Sequence, residues 1–408
     1  MIVRLFRGRI VKNLSAGPSS WRRTVIVTVA LPLVISLAVM AYAWPASRIA
    51  PRDLPVGVVG TSTAGQKAVE GLEHSKPGGF DFHLYPTQAS ARSAIKNREI
   101  YGAFVVTTGN VTVLEATAAS TSVAQLLTAT GQQLAAHAAK LPPKDATPPA
   151  GTSHRPAVGK SLTKPAPKVG FRTVDVVPTA AADPRGVVFN SALLPLTICS
   201  ILIAALIATS GAQMSVWRRL IDLLAACAAT SLAAYLVAEG LLGALPHEHV
   251  ATWGALSLTM LAISATSVGL ITLIGPAGIG LSAALMVFVG NPFSGITSAP
   301  ELLPKAVGDI GQWLPPGAGA NLLRSTAYFD GAGSGGHIAV LVLWSTLGLA
   351  AVALGRRDSA VANKGLAEEL AAADDRSADS PAGNGTPAAL PSSSANRPHS
   401  HARHTAHE

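Results

Sequence analysis

The chain has 408 residues, of which 49% are hydrophobic and only 13% charged, with a mean hydropathy of +0.38. Soluble domains carry about 25% charged residues, so a water-soluble globule is excluded as the leading class. The net charge of +9 does not imply nucleic acid, because Lys and Arg cluster beside apolar segments and in one linker, where membrane orientation and anionic headgroups account for them.

In chain order, residues 1–23 come first. Ile2, Val3, Phe6, Ile10 and Val11 can share one helical face with Arg4, Arg7 and Lys12 elsewhere. That pattern suits a cytoplasmic amphipathic helix in the inner interface; a basic leader is the alternative. Thr24–Trp44 is the first of six apolar segments. Ala41-Tyr42-Ala43 resembles a cleavage site, but the run exceeds the about 7–15 apolar residues of a signal peptide. Trp21 and Trp44 border it as interface anchors, so an uncleaved transmembrane helix is expected.

Residues 46–188 are mostly polar and read as one extracytoplasmic α/β domain. Strands are expected at Leu54–Gly60, Phe80–Tyr85, Tyr101–Val106, Asn110–Ala116 and Phe171–Val177, and helices at Ala64–His74, Thr87–Arg98 and Ser120–Leu141. Residues 141–168 form a linker rich in Pro and Lys. Gly159-Lys160-Ser161 lies in it, but a phosphate-binding loop needs Gly five positions earlier, where His154 stands. With no complete Walker motif and no catalytic constellation of His, Asp, Glu or Ser, no enzyme activity, catalytic residue or cofactor is expected.

The remaining apolar segments are Phe189–Ser210, Leu220–Gly243, Trp253–Ile274, Gly278–Gly290 and Ile338–Leu354. A crossing needs about 20 residues, and the last two are shorter. Basic residues near the N-terminus, Arg218–Arg219 in the turn between the second and third segments, and Arg356–Arg357 after the last all fit both termini being cytoplasmic in a plasma membrane. The fold class expected is therefore an α-helical polytopic membrane protein, with six transmembrane helices and a small α/β extracytoplasmic domain between helices 1 and 2. Residues 189–354 hold helices 2–6. Residues 299–329, too apolar for an ordinary loop and too broken for a span, suit two short helices folding back into the outer leaflet, roughly Pro300–Gln312 and Gly319–Phe329; a partly ordered surface loop is the alternative. Asp222 and Glu239 are expected at headgroup level, without an evident partner. Cys199 and Cys227 read as packing residues. Residues 355–408 read as a disordered cytoplasmic tail, and its His399, His401, His404 and His407 as solvated rather than metal-binding.

Several stretches together resemble ABC-2 type transporter permeases, especially the phage-infection-protein-like branch. These are Leu54-Pro-Val-Gly-Val-Val-Gly60, Ala89–Val106, Val177-Pro178…Asp183-Pro184-Arg185-Gly186, and Phe293-Ser294-Gly295…Pro300…Leu303-Pro304…Trp313-Leu314-Pro315…Arg324. The resemblance implies a permease that exports its substrate with a separate ATPase subunit, two six-span halves building the pathway as a homodimer or with a second permease half. It places ATPase coupling at Trp217, Arg218 and Arg219, whose other reading is topology anchoring. It places an outer gate at Pro300, Trp313, Pro315 and Arg324. Few charges in the spans favour a lipidic or amphiphilic cargo, with membrane lipids and no nucleic acid as partners. The alternative is a non-transporting membrane scaffold or receptor of the cell envelope or a secretion complex.

Overall fold

The computed structural model describes residues 18–59, 69–74, 76–107, 109–140, 169–210, 215–245 and 248–354. The expected N-terminal amphipathic helix, the linker and the C-terminal tail lie outside them, as do residues 64–68 of the helix expected at 64–74, whose remainder, 69–74, is helical.

The chain opens with α1, Pro18–Ala46, and then enters a five-stranded mixed sheet. Its strands are β1 (Leu54–Val59), β2 (Phe80–Tyr85), β3 (Gly102–Thr107), β4 (Asn110–Glu115) and β5 (Gly170–Asp175), in the spatial order β2-β1-β3-β4-β5. β1 runs parallel to β2 and β3, β3 is antiparallel to β4, and β4 is parallel to β5. β1 is apolar throughout because both of its faces are covered. On one face α3, Thr121–Lys140, brings Val123 and Leu127 onto Leu54, Val56, Phe104 and Val113. On the other, α2, Gln88–Lys96, contributes Ala91, Ala94 and Ile95.

The second half is helical: α4 (Val187–Ser210), α5 (Val216–Leu241), α6 (His249–Ile274), α7 (Ala277–Phe293), α8 (Lys305–Trp313), α9 (Pro315–Tyr328) and α10 (Ser334–Leu354). Among the described residues, five helices are long and apolar enough to cross a membrane: α4, α5, α6, α10 and, within α1, Thr28–Ala46. The protein is a multi-pass membrane protein. α7 is the short fifth apolar segment of the sequence, extended to 17 residues. Its second half, Ala284–Gly290, and the end of α5, Leu236–Leu241, are wound as π-helix, a form concentrated at functional sites.

α6 is the central post. Gly348 on α10 sits so close to it that a Cβ there would lie 2.5 Å from the Ala265 carbonyl oxygen. Ser264 Oγ donates to the Ser200 carbonyl of α4 at 2.8 Å, and the Ser231 and Ser257 hydroxyls of α5 and α6 meet at 2.6 Å. Small residues and cross-helix hydroxyl bonds are the usual means of packing helices where lipid removes the hydrophobic drive.

The sheet domain is not a lobe tethered by its ends. One hydrophobic core runs from Ile95, Ala103 and Leu114 into Phe189, Tyr235, Leu256, Leu323 and Tyr328. Ala299 and Leu302 complete the core under α3, and Ala50 N and Arg52 N donate to Leu302 O and Glu301 O at 3.0 Å each.

Candidate functional site

The segment between α7 and α10 forms a hairpin that enters the helical bundle and returns. Two contacts measure its depth. Gly319 lies against Thr259, with a Cβ position 2.2 Å from Thr259 Cγ2. Trp344 Nε1 donates to Trp313 O at 2.7 Å. Thr259 and Trp344 each lie ten residues inside their own helices, which is about 15 Å at 1.5 Å per residue. The sequence explains how the tip can sit there. Gly311 packs on Phe293 so closely that a Cβ would lie 1.8 Å from its carbonyl oxygen. Pro315 opens α9 at the position where a missing N–H costs nothing. All fourteen residues of α9 are buried.

Above the hairpin lies a polar cavity of about 420 Å³ shared with the sheet domain. The sheet domain supplies Arg52, Asp53, Arg98 and Tyr101; the hairpin supplies Glu301, Lys305, Asp309, Gln312 and Asn321, and α10 supplies His337. Arg98 clamps α9. Its Nη1 donates to Asn321 O at 2.9 Å and to Ser325 Oγ, and its Nη2 donates to Asn321 Oδ1 at 2.9 Å. Asn321 Nδ2 passes the network on to Gln312 Oε1 at 2.5 Å, and Gln312 Nε2 donates to Ser294 O at 3.1 Å. Tyr101 Oη donates to Glu301 Oε2 at 2.8 Å. Burial pushes the Arg98 guanidinium below its usual range, against the upward pull of Tyr101 and Glu301. Burial, and then the Glu301 carboxylate, hold the Tyr101 phenol well above its usual range.

Local backbone aims Arg98. α2 ends with Glu99 N donating to Ala94 O at 2.9 Å and Arg98 N donating to Ile95 O at 3.1 Å. This pairing places residue 98 in the left-handed region, with φ of 60°, where glycine is usual. An arginine there costs about 1–2 kcal/mol, which the clamp offsets.

On the opposite side of α9, an apolar cleft of about 670 Å³ opens between α4 and α5, lined by Pro195, Cys199, Ala234, Val237 and Leu323 among others. The two cysteines are free; Cys227 is buried and Cys199 faces the cleft. Glu239, expected to lack a partner, accepts Leu245 N at 2.8 Å and so closes the turn after α5. Among the described residues no group of three or more His, Cys, Asp or Glu is placed to hold a metal.

The four expected gate residues are not one cluster. Trp313 and Pro315 stand at the hairpin tip, Trp313 being 65% exposed. Pro300 lines the polar cavity. Arg324 is buried on the other face, donating from Nη2 to Ile296 O at 3.0 Å and lying over the Phe189 ring at 5.0 Å. The expected coupling residues divide too. Trp217 is 77% exposed and Arg218 is exposed, whereas Arg219 is 9% exposed. Sequence reasoning did not single out Arg98, Tyr101, Glu301 or Asn321. The positive φ at Arg98 and the pairing of the sheet domain with the hairpin leave no local signal.

Residues 22–209 match the family model described as ABC-2 family transporter protein. The match runs from α1 through the sheet domain to the end of α4, and it supports an ABC-2 type permease. Permeases of this kind are the membrane components of ABC exporters; they are not themselves catalytic and work with an ABC ATPase. No curated protein and no solved structure matches the chain.

Proposed function

We propose that this chain is the membrane half of an ABC-2 type exporter, moving a lipidic or amphiphilic molecule outward while a separate subunit hydrolyses ATP. The observation that carries this reading is the hairpin packed ten residues deep against α6 and α10 beneath a polar cavity, in a multi-pass chain that matches the transporter family over 22–209. Irregular backbone at membrane depth is tolerated where it is covered by protein or lines a cavity, and pathways are built there. The apolar cleft suits the alkyl part of a cargo. Within the family, the phage-infection-protein-like branch is the reading the resemblance supports.

In this reading α7 also crosses, the fifth in chain order, and brings the number of crossings to six. Its 17 residues reach about 25 Å, a mismatch that local thinning of the bilayer absorbs at modest cost. Both termini are then cytoplasmic in the plasma membrane and the sheet domain is outside. The first turn of α5 carries Trp217 and Arg218 to the ATPase, the hairpin from Pro300 to Arg324 closes the outer mouth, and a second copy or a second permease chain completes the pathway.

The test is purification of the tagged chain in mild detergent from its own host, with mass spectrometry of what accompanies it. A stoichiometric nucleotide-binding subunit is expected. Recovery with envelope or secretion proteins and no ATPase would overturn the proposal in favour of a membrane scaffold.

A further inference from the structure

We propose that one acyl chain of a bilayer phospholipid, drawn from the leaflet on the sheet-domain side, occupies the apolar cleft between α4 and α5. The cleft measures about 670 Å³ and no charged residue lines it. Its side-chain hydroxyls are those of Ser191 and Thr230, too few to hold water, each molecule of which needs about two to four polar partners. Close packing leaves few voids larger than a water molecule, so a slot of this size is filled.

Shape is the first argument. On α4 the walls run from Val187 to Cys199, and on the other side from Thr230 of α5 to Leu242 and Leu245 just after it. Val187 and Cys199 are twelve residues apart, about 18 Å of helix. Beyond Cys199 the slot is closed: Ala204 of α4 packs in one core with Leu223 and Cys227 of α5 and Met260 of α6. At the other end, Phe189 and Leu245 belong to the core shared with Ala116 and Ala118 of the sheet domain. The slot is therefore blind at one end, and its length is close to the reach of a chain in one leaflet, about half of an about 30 Å hydrocarbon core. Both walls are irregular along it. Pro195 lacks the N–H that would reach Ser191 O, and Leu236–Leu241 is π-helical. Ala192, Ala234 and Ala238 keep the walls low.

Position selects the occupant. Leu194 and Ile198 of α4 and Leu232 and Leu236 of α5, on the turns that carry the walls, are exposed, so the mouth of the slot is continuous with the lipid-facing surface of a multi-pass protein. No residue lines both the slot and the polar cavity; the slot opens sideways onto the bilayer. An exported amphiphile reaches it only by displacing the phospholipid already there. Buried Leu256 of α6 and Leu323 of α9 form the floor. The chain thus bears on α9 from the side opposite the Arg98 clamp, held by close contact because lipid removes the hydrophobic drive. The inference rests on the membrane class of the chain and not on the transport reading.

The test uses the full chain in phosphatidylethanolamine–phosphatidylglycerol vesicles, doped with phosphatidylethanolamine that carries a photoactivatable diazirine either at the chain terminus or beside the carboxyl carbon. After irradiation, adducts of the terminal label are expected around Cys199 and Thr230, and adducts of the carboxyl-end label around Val187 and Leu242. Ala234→Trp fills the slot and should lower both roughly tenfold, while adducts on Leu202, exposed on α4 outside the walls, persist as the mark of a folded, inserted chain. Should that variant not fold, Thr230→Phe shortens the slot at its blind end, and the terminal adducts alone should fall. Adducts spread evenly over α4, α5 and α10, or a pattern unchanged in a folded variant, would overturn the proposal. So would a slot left unlabelled because it holds the exported molecule or a second copy of the chain, identified by mass spectrometry of the lipid extract and of cross-linked dimers.

Discussion

Arg98 holds both the main chain and the side chain of Asn321: two guanidinium nitrogens reach Asn321 O and Asn321 Oδ1 at 2.9 Å each. The residue that ends a helix of the sheet domain thereby fixes the rotation of α9, since Asn321 and Ser325, one helical turn apart, are gripped together. Any movement of the hairpin has to break this grip or carry the sheet domain with it.

Replacing Arg98 separates the clamp from the strain that aims it. Arg98→Ala loses three charge-assisted bonds in a partly buried setting and should destabilise the chain by about 2–4 kcal/mol. Arg98→Gly loses the same bonds but relieves the left-handed backbone at φ of 60°, so it should be less damaging by about 1 kcal/mol. Hydrogen exchange across 315–328 should accelerate in both. Equal midpoints for the two variants would refute the strain argument.

The hairpin's depth rests on glycines used for close approach. Gly319→Val drives side-chain atoms into Thr259 and Gly311→Ala drives a methyl into Phe293 O. Each should lose folded, monodisperse protein by size-exclusion chromatography. Gly254→Ala, with open space at its Cβ in α6, should behave like the wild type. Normal yields for Gly311→Ala would mean that the tip is not seated as described.

In the first turn of α5, burial decides which substitutions report coupling. Trp217→Ala with Arg218→Ala changes exposed side chains and should leave the unfolding midpoint within about 1 °C, while recovery of the ATPase falls at least tenfold. Arg219→Ala reaches into the bundle and should lower the midpoint as well. Undiminished ATPase recovery in the double variant would assign these residues to topology anchoring.

Glu115 gives a pH dependence. Burial, its main influence, raises its carboxyl above the usual range, with Asp175 adding to the rise and the hydrogen bond from Thr128 opposing it. Because the folded-state value is the higher one, the contribution is fully present below the unfolded carboxyl range and is lost as pH rises through the folded value. Glu115→Gln keeps an acceptor for Thr128 Oγ1, which donates to Glu115 Oε2 at 2.7 Å. The variant should equal the wild type at low pH and exceed it at neutral pH by less than about 1 kcal/mol after solvent screening. Thermal unfolding from pH 4 to 8 checks the crossover.

Much of the architecture was legible because it repeats along the chain. Apolar runs such as Val187–Thr209 and His249–Ile274 are long enough to identify themselves, since a membrane leaves a helix few other solutions. The strands of the sheet announced themselves by apolar runs between turn residues. The short fifth segment was also visible, though its π-helical half was not, because winding depends on the neighbours that pack against Ala284–Gly290.

The site was legible in part. Proline and glycine in 299–329 point to a broken, folded-back segment, and its tight seats at Phe293 and Thr259 are the reason those residues are small. Trp217, Arg218 and Arg219 form one motif on paper, but helical rotation exposes two and buries the third.

By itself, the sequence determined the membrane class, the position of the sheet domain between the first two spans and the presence of a broken apolar segment, because hydrophobic length and strand patterning are local properties that the solvent enforces. Only the tertiary structure decided that the sheet domain and the helical half share one core, that Arg98 grips residues more than 200 positions away, and that Arg324 is buried with no carboxylate paired to it among the described residues. Those are contacts between distant segments, and no periodicity along a chain encodes which of its buried charges will meet.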